Sequence, residues 1–194
     1  DDLPGVIAPE GMEASRLSLD VLVLHGIRNR IKNTVKAAQE VPVRVADVAI
    51  SGLCSALAVL TAEQRAGGTV VIDLGGGTTS YVACYDKITA STGTLAIGGD
   101  HVTNDIQMAF HIPMAQAEKL KIESGNVMLD ASSTGQRIEL QPELGFTSRS
   151  VMIRSLHKVI NLRVDETLRL VKRRLDWENI HHKIGTGILL TGGG

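Results

Sequence analysis

The sequence predicts an α/β protein in which mixed sheets are flanked by helices. Residues 70–72 are β-branched and apolar without a polar break, which is typical of a strand buried on both faces. Apolar residues recur at helical spacing over about 26–39 and again over about 148–175. Strand patterns at 16–24 and 43–50 enclose the first of these helices, so the chain begins in a βαβ-like order.

The elements of the first sixty residues follow from their apolar patterns. The first predicted strand alternates at its start and then becomes continuously apolar. In the helix that follows, Ile27, Ile31 and Val35 stand at i, i+4 and i+8, with Arg and Lys residues on the solvent side. We predict that Ser51 caps a further helix of small residues, which runs to about residue 60.

The middle of the chain predicts strands and then a helix. Residues 69–74 form one strand, and 80–97 form a run of strands with a turn at Asp86 and Lys87. A helix follows two glycines at 98 and 99, and Pro113 ends it. The face of this helix that we expect to be buried carries Val102, Ile106 and Ala109.

The last eighty residues predict a short helix, a hairpin, the long helix and a strand. The hairpin covers 126–141, with its polar tip at 131–135. The long helix spans about 40 Å at 1.5 Å per residue, and the strand at 187–190 is predicted to be buried and to lead into a glycine turn. The apolar stripe of the long helix is Leu156, Ile160, Val164, Leu168, Val171 and Leu175.

Composition excludes several function classes. A chain of 194 residues with 43% hydrophobic content and a net charge of −1 describes a soluble globular protein without electrostatic attraction to nucleic acid. Cys54 and Cys84 lack metal-ligand spacing and are predicted as buried core residues of a reducing compartment. We predict no structural zinc at His101, His181 or His182. Without a membrane-spanning run or a signal peptide, the chain is predicted to be cytoplasmic.

The two ends of the chain predict a piece of a longer protein. The sequence opens without Met, and it stops on three glycines inside what we expect to be a strand-to-helix turn. Trp177, the lone tryptophan, is predicted to serve packing rather than binding.

The most informative segment is 69–80, in which a buried strand ends in a carboxylate and a glycine loop. Glycines turn tightly and present bare N–H groups that can cradle phosphate oxygens. Asp73 can hold a metal ion through water, and the threonines add hydroxyl donors. The segment lacks the Lys of a P-loop and the spacing of a Rossmann turn, and a plain glycine-rich hairpin is the simpler alternative. The candidate residues are Asp73, Gly75, Gly76, Gly77, Thr78 and Thr79.

These residues resemble the second phosphate loop of the actin-like ATPases, a superfamily that includes actin, heat-shock chaperone ATPases, sugar kinases and bacterial filament proteins. Residues 98–106, 117–122 and 181–193 resemble the FtsA family of bacterial cell-division proteins, as do several segments before residue 61. The likeness follows the family's order over nearly the whole chain. It implies a ribonuclease-H-like actin and chaperone ATPase fold, with ATP and Mg²⁺ as cofactors.

The same resemblance implies a division of the chain into subdomains. They are the second half of the family's small subdomain (IC) over 1–50, a helix returning to the first lobe (IA) over 51–68, the second lobe (IIA) with its phosphate loop over 69–112, subdomain IIB over 113–165 and a return to IIA over 166–194.

Further nucleotide-binding residues are implied by the resemblance. Glu118 and Lys121 share a helical face; a solvated salt bridge is the simpler interpretation, whereas chaperone-like relatives use such a pair for the ribose hydroxyls and adenine. The closing glycines are a flexible tail on the simpler interpretation and an adenosine loop by resemblance. The residues concerned are Gly98, Gly99, Glu118, Lys121, Gly192, Gly193 and Gly194.

A candidate partner site lies on the predicted long helix. Arg149 and Arg163 are fourteen residues apart and fall on nearly one helical face, with Lys158 between them at a neighbouring angle. A solvated basic face is the simpler interpretation. The resemblance implies that these residues receive the acidic, apolar C-terminal tail of the tubulin-like protein FtsZ, for which the Arg fork is suited.

The function implied is that of an actin-like ATP-binding protein that forms filaments, meets other divisome proteins and links FtsZ to the inner face of the membrane at the division site. The family's tether is a C-terminal amphipathic helix that this chain lacks. Ser80 stands where the family pattern has Asp, which argues against hydrolysis more than against binding. The superfamily's first phosphate loop has no counterpart before residue 69, so we expect half a nucleotide site. Alternatives are a pilus-assembly or cell-shape actin, a chaperone-type ATPase and a sugar kinase lobe.

Overall fold

The computed structural model describes residues 6, 9–19, 21–129, 135–140 and 149–194. The chain divides into two compact units, Asp1–Arg44 and Val45–Gly194. Each unit is described by itself below.

The first unit contains helix α1, Arg28–Gln39, which confirms the helix predicted over 26–39. The strand predicted at 16–24 is wrong, because the described backbone there is irregular. Leu17 and Leu19 are 73% and 80% exposed, so among the described residues these apolar side chains are not buried as a strand in a core would require. The strand predicted at 43–50 is also wrong, because the backbone of these residues is irregular as well.

The second unit is an α/β assembly of five helices and six strands within the described ranges. Its elements in chain order are α2 Ser51–Val59, α3 Ala62–Gly67, β1 Thr69–Leu74, β2 Thr79–Tyr85, β3 Ile88–Leu95, α4 Gly99–Phe110, α5 Met114–Ser124, β4 Arg137–Leu140, β5 Arg149–Met152, α6 Ile153–Trp177 and β6 Gly187–Gly192, with a 3₁₀ turn at His181–Lys183 before β6.

The larger sheet has the strand order β3-β2-β1-β6. β1 pairs antiparallel with β2 and parallel with β6, and β2 pairs antiparallel with β3. Val70, Val71 and Ile72 are at most 2% exposed, which confirms the buried strand predicted from their β-branched run. The predicted turn between β2 and β3 is also confirmed, since Asp86 and Lys87 both have positive φ, as a two-residue hairpin loop requires.

The helices before β1 differ from prediction at their starts. Ser51 is the first residue of α2 rather than its cap, and Ile50 precedes it without a side-chain cap hydrogen bond. Helix α3 was not predicted. Its start is a capping box, in which the Thr61 N–H donates to Gln64 Oε1 at 2.9 Å and the Gln64 N–H donates to Thr61 Oγ1 at 3.2 Å. That Thr-x-x-Gln spacing is a sequence signal that predicts the helix.

Three apolar clusters hold the second unit together. One joins the sheet to α2 and contains Ala56, Leu60, Val71, Val82 and Cys84. A second joins the other face of the sheet to the C-terminal half of α6 and contains Val70, Ile72, Tyr81, Ala83, Val171, Leu175 and Ile180. The third joins α4, α5 and the β4–β5 hairpin to the N-terminal half of α6 and contains Val102, Ile106, Ile112, Ala117, Leu120, Leu140, Val151, Leu156 and Ile160.

The start of the long helix and the hairpin before it were placed wrongly. α6 begins at Ile153, because residues 149–152 form strand β5, which pairs with β4 from Arg137↔Met152 to Leu140↔Arg149. Residues 126–129 are not a strand. Most of the predicted hairpin tip, at 131–134, lies outside the described residues.

Several side chains expected in the core are exposed. Cys54 and Ala109 lie on solvent faces of α2 and α4. Trp177, at 81% exposure, does not serve packing within the unit. β6 was predicted to be buried, but Ile188 and Leu190, on one face of this edge strand, are 63% and 58% exposed. In the described part of the chain, no helix is both long enough and apolar enough to span a bilayer.

Because α6 packs against two apolar clusters, its buried residues should govern the stability of the second unit. Leu156 is fully buried, whereas Leu162 on the same helix is 55% exposed. Leu156→Ala should lower the free energy of unfolding by about 2–5 kcal/mol, since it leaves a cavity. The control Leu162→Ala should change it by less than about 0.5 kcal/mol. Urea unfolding followed by circular dichroism measures both, and equal effects would contradict the assignment of α6's buried face.

Candidate functional site

The glycine loop predicted from the sequence forms the tight connection between β1 and β2. The Gly75 N–H donates to the Thr78 carbonyl at 2.9 Å and closes the turn. Thr79 is buried at the start of β2, and its hydroxyl donates to the Ile97 carbonyl at 2.7 Å. Thr79 therefore anchors the loop to the segment that precedes Gly98.

The glycine pair at 98 and 99 packs directly on this loop through backbone atoms. The Gly99 N–H donates to the Gly75 carbonyl at 3.0 Å, and the Asp100 N–H donates to the Gly76 carbonyl at 2.8 Å. A Cβ at Gly98 would lie 2.3 Å from both of these carbonyl oxygens. Only glycine fits at this position, because the two loops approach to backbone contact.

The glycine run at the end of the chain lies against the same loop. β6 runs parallel to β1, so the two strands end side by side with Gly192 opposite Leu74. The Gly194 N–H donates to the Leu74 carbonyl at 2.9 Å. A Cβ at Gly192 would lie 2.2 Å from the Leu74 oxygen, whereas one at Gly193 would meet no atom within 4 Å. Gly193 thus faces open space.

Glu118 and Lys121 on α5 stand beside these glycines. Lys121 Nζ lies 2.8 Å from Glu118 Oε2 and donates to the Gly99 carbonyl at 3.2 Å. The Lys121 hydrogen bond, followed by that of Thr103, holds the pKa of Glu118 below its ordinary value. The ion pair of the simpler interpretation is present, and the structure brings the pair to the edge of the glycine cluster.

Thr103 on α4 is a member of this network that sequence reasoning missed. It is 2% exposed, and its Oγ1 lies 3.0 Å from Lys121 Nζ and within hydrogen-bond distance of Glu118 Oε2. No local pattern marks it, because it lies one helical turn after Gly99 on a different element from the pair that it contacts.

Asp73 lies on the α2 side of β1, at the strand end beside the glycine loop. Its Oδ2 accepts a hydrogen bond from the Ser55 hydroxyl of α2 at 2.7 Å. Ser80 is opposite Asp73 in the antiparallel register and is 7% exposed, with its Oγ 3.2 Å from Thr94 Oγ1. Ser55 was not predicted, since its contact depends on how α2 packs against the sheet.

The arrangement fits a phosphorylated ligand. Three glycine segments from distant parts of the chain meet at the end of β1 and β6, where Lys121 donates to the Gly99 carbonyl and Asp73 is the penultimate residue of β1. Gly76, Gly77 and Gly193 face space in which a Cβ would meet at most the Asp100 carboxylate. Backbone N–H groups without side chains are well suited to contact phosphate oxygens.

The predicted partner residues do not form one helical face. Arg149 belongs to β5 and not to α6, so its helical alignment with Arg163 is wrong. Lys158 is exposed on α6, but it lies five positions before Arg163, which places the two about 140° apart around the helix.

Arg163 is held in place by two carboxylates. Its Nε lies 2.5 Å from Asp105 Oδ2 and its Nη2 lies 2.9 Å from Asp105 Oδ1, a bidentate pair between α6 and α4. Its Nη1 lies 2.6 Å from Glu166 Oε2. The hydrogen bonds with Asp105 raise the pKa of Arg163 above its ordinary value. These residues line a shallow depression of about 300 Å³ together with Val159 and Leu162.

Comparison with known proteins decides the family. The sequence model described as "Cell division protein FtsA" matches residues 70–188, which is more than half of the chain. The chain belongs to the FtsA family.

Individual FtsA relatives agree with this assignment along the whole chain. The cell division protein FtsA of Pseudomonas aeruginosa is 32% identical over 193 residues, covering 100% of this chain and 46% of the relative. FtsA of Escherichia coli is 30% identical over 196 residues, covering 97% of this chain and 47% of the relative. The chain therefore spans about half the length of the curated relatives that it matches.

A solved structure confirms the predicted actin-like fold. MreB5 of Spiroplasma citri, crystallised with ADP, superposes with a TM-score of 0.71 at 19% sequence identity, over 87% of this chain and 55% of that one. At this identity the likeness concerns the fold alone.

The contact between glycine loops yields a prediction for this FtsA-family chain. Gly98→Ala should lower the free energy of unfolding by about 1–3 kcal/mol, since its Cβ would overlap two backbone carbonyls. The matched control Gly193→Ala adds the same methyl group in open space and should change stability by less than about 0.5 kcal/mol. Thermal and urea unfolding measure both variants, and a neutral Gly98→Ala would contradict the packing.

The Glu118–Lys121 pair yields a prediction for pH dependence. Lys121→Met should raise the pKa of Glu118 toward its ordinary value, whereas Lys119→Met on the exposed side of α5 should leave it unchanged. Because the folded-state pKa is depressed, the contribution of Glu118 to stability is present above its unfolded pKa and is lost as pH falls through the folded value. Carboxyl ¹³C titration by NMR measures the shift, and an unmoved Glu118 pKa in Lys121→Met would rule out the assigned cause.

Proposed function

We propose that the chain is part of an actin-like, ATP-binding cell-division protein that forms filaments and links FtsZ to the cytoplasmic membrane during septum formation. The observation that carries nucleotide binding is the meeting of Gly75–Gly77, Gly98–Gly99 and Gly192–Gly194 beside Glu118 and Lys121. Membership of the FtsA family supports the role in division.

The glycine cluster would hold ATP by its backbone. Gly75, Gly76, Gly77 and Thr78 would face the phosphates, because the loop between β1 and β2 carries no bulky side chain there. The closing glycines would lie against the nucleoside, with Gly193 open to it. Glu118 accepts and Lys121 donates hydrogen bonds at the neighbouring edge, which suits ribose hydroxyls and a purine.

Asp73 would hold Mg²⁺ through water. A carboxylate at a strand end beside a phosphate loop supplies the oxygen ligand that Mg²⁺ prefers, and the Ser55 hydroxyl fixes its orientation. Mg²⁺ would neutralise phosphate charge there. Ser80, opposite Asp73, contributes a buried hydroxyl and no second carboxylate, which favours binding with slow hydrolysis.

The proposed partner of the α4–α6 side is the C-terminal tail of FtsZ. Arg163 and the apolar Val159 and Leu162 offer a guanidinium fork beside apolar surface, which suits a peptide with both acidic and apolar residues. Arg149 and Lys158 would contribute from β5 and from another side of α6. Filament formation, contacts with other divisome proteins and membrane attachment through an amphipathic helix outside these residues complete the proposal.

NMR titration of the chain with Mg-ATP tests the nucleotide site, since it detects even millimolar binding. Amide shifts should concentrate at Gly75–Thr78, Gly98–Asp100 and Gly192–Gly194. Inorganic triphosphate should shift the amide signals of Gly75–Thr78, and adenosine should shift those of Gly192–Gly194, because each compound carries one half of the ligand. Lys121→Met should weaken the adenosine response, and Lys119→Met should not.

Two results would contradict this proposal. Shifts scattered over the surface, or confined to residues away from the glycine cluster, would show that ATP does not bind there. Identical titrations for Lys121→Met and Lys119→Met, with both folded, would remove the pair from the site.

A further inference from the structure

The guanidinium group of Arg163 is occupied within the chain itself. Asp105 accepts from Nε and Nη2, and Glu166 accepts from Nη1. Asp105 takes the Nε–Nη2 edge of the guanidinium and Glu166 takes Nη1 of the other edge, so an incoming carboxylate finds neither bidentate edge free. The side chains of Arg163 and Asp105 are each 25% exposed, so the pair stands at the surface and not in the core.

The surroundings of this pair resemble a small binding surface. Val159 and Leu162 line the depression beside Arg163, and Leu162 is 55% exposed. The charged lining groups are one guanidinium and two carboxylates, so the depression has a local charge of about −1 as it stands. An acidic peptide therefore meets repulsion here until one carboxylate withdraws.

We propose that Asp105 is an internal competitor, whose carboxylate occupies the Arg163 fork and must be displaced when an acidic peptide binds. The inference rests on the partner site assigned under the proposed function and adds its regulation. Asp105 lies on α4 and Arg163 on α6, so the competitor and the fork belong to different helices. Displacement then needs only a rotation of the Asp105 side chain, which is 25% exposed, or a small shift between these helices.

The matched pair Asp105→Asn and Asp165→Asn tests this idea. Each removes one negative charge from the same region, but Asp165 pairs with Arg169 at 2.7 Å and not with Arg163. A fluorescent FtsZ-tail peptide, followed by anisotropy, should bind Asp105→Asn about two- to fivefold more tightly than Asp165→Asn, as expected for releasing one surface ion pair. The double variant Asp105→Asn/Arg163→Ala should lose this gain.

A second measurement tests how accessible the Arg163 guanidinium is when no peptide is present. Phenylglyoxal modifies accessible arginine side chains, and peptide mapping by mass spectrometry measures the rate at each position. Arg163 should react faster in Asp105→Asn than in the wild-type chain or in Asp165→Asn. Circular dichroism confirms that each variant is folded.

The outcomes separate this inference from the function on which it rests. Equal peptide affinity and equal Arg163 reactivity in the two Asn variants would contradict the proposal that Asp105 competes for Arg163. Equal peptide affinity of the wild-type chain and Asp105→Asn would also contradict the competition by Asp105, but it would still support the proposed peptide site. Faster modification of Arg163 with no peptide binding by any variant would instead remove the acidic peptide as partner.

Discussion

The contact of backbone with backbone at the end of β1 is the constraint on which the rest of the second unit depends. Gly98 lies against the carbonyls of Gly75 and Gly76 at a distance that excludes any side chain, and Gly194 hydrogen-bonds to Leu74. These contacts fix where α4 begins and where β6 ends. The candidate nucleotide site is therefore a result of chain packing, and a methyl group at Gly98 would disturb the fold and the site together.

Helices α4 and α6 connect the glycine cluster with the Arg163–Asp105 pair. α4 starts at the glycine cluster, contributes Thr103 to the Glu118–Lys121 network and then presents Asp105 to Arg163. α6 packs one half against the sheet and the other half against α4 and α5. The nucleotide and peptide surfaces that we propose are thus linked by one helix with a buried apolar face.

The sequence predicted much of the second unit correctly and much of the first unit incorrectly. The run at 70–72 marked the central strand because uninterrupted β-branched residues require burial on both faces. The same reasoning failed at 16–24, where Leu17 and Leu19 remain exposed. Apolar patterning states what a strand would bury, but it does not supply the neighbouring strand that makes one.

By itself, the sequence determined the glycine segments, the Glu118–Lys121 pair and the family, since these depend on residue type and local spacing. Tertiary structure decided how those segments meet. It also placed Arg149 on a strand and paired Arg163 with Asp105, which lies 58 positions away in the sequence. Such contacts depend on the packing of distant elements, and no local pattern encodes which carboxylate pairs with a given guanidinium.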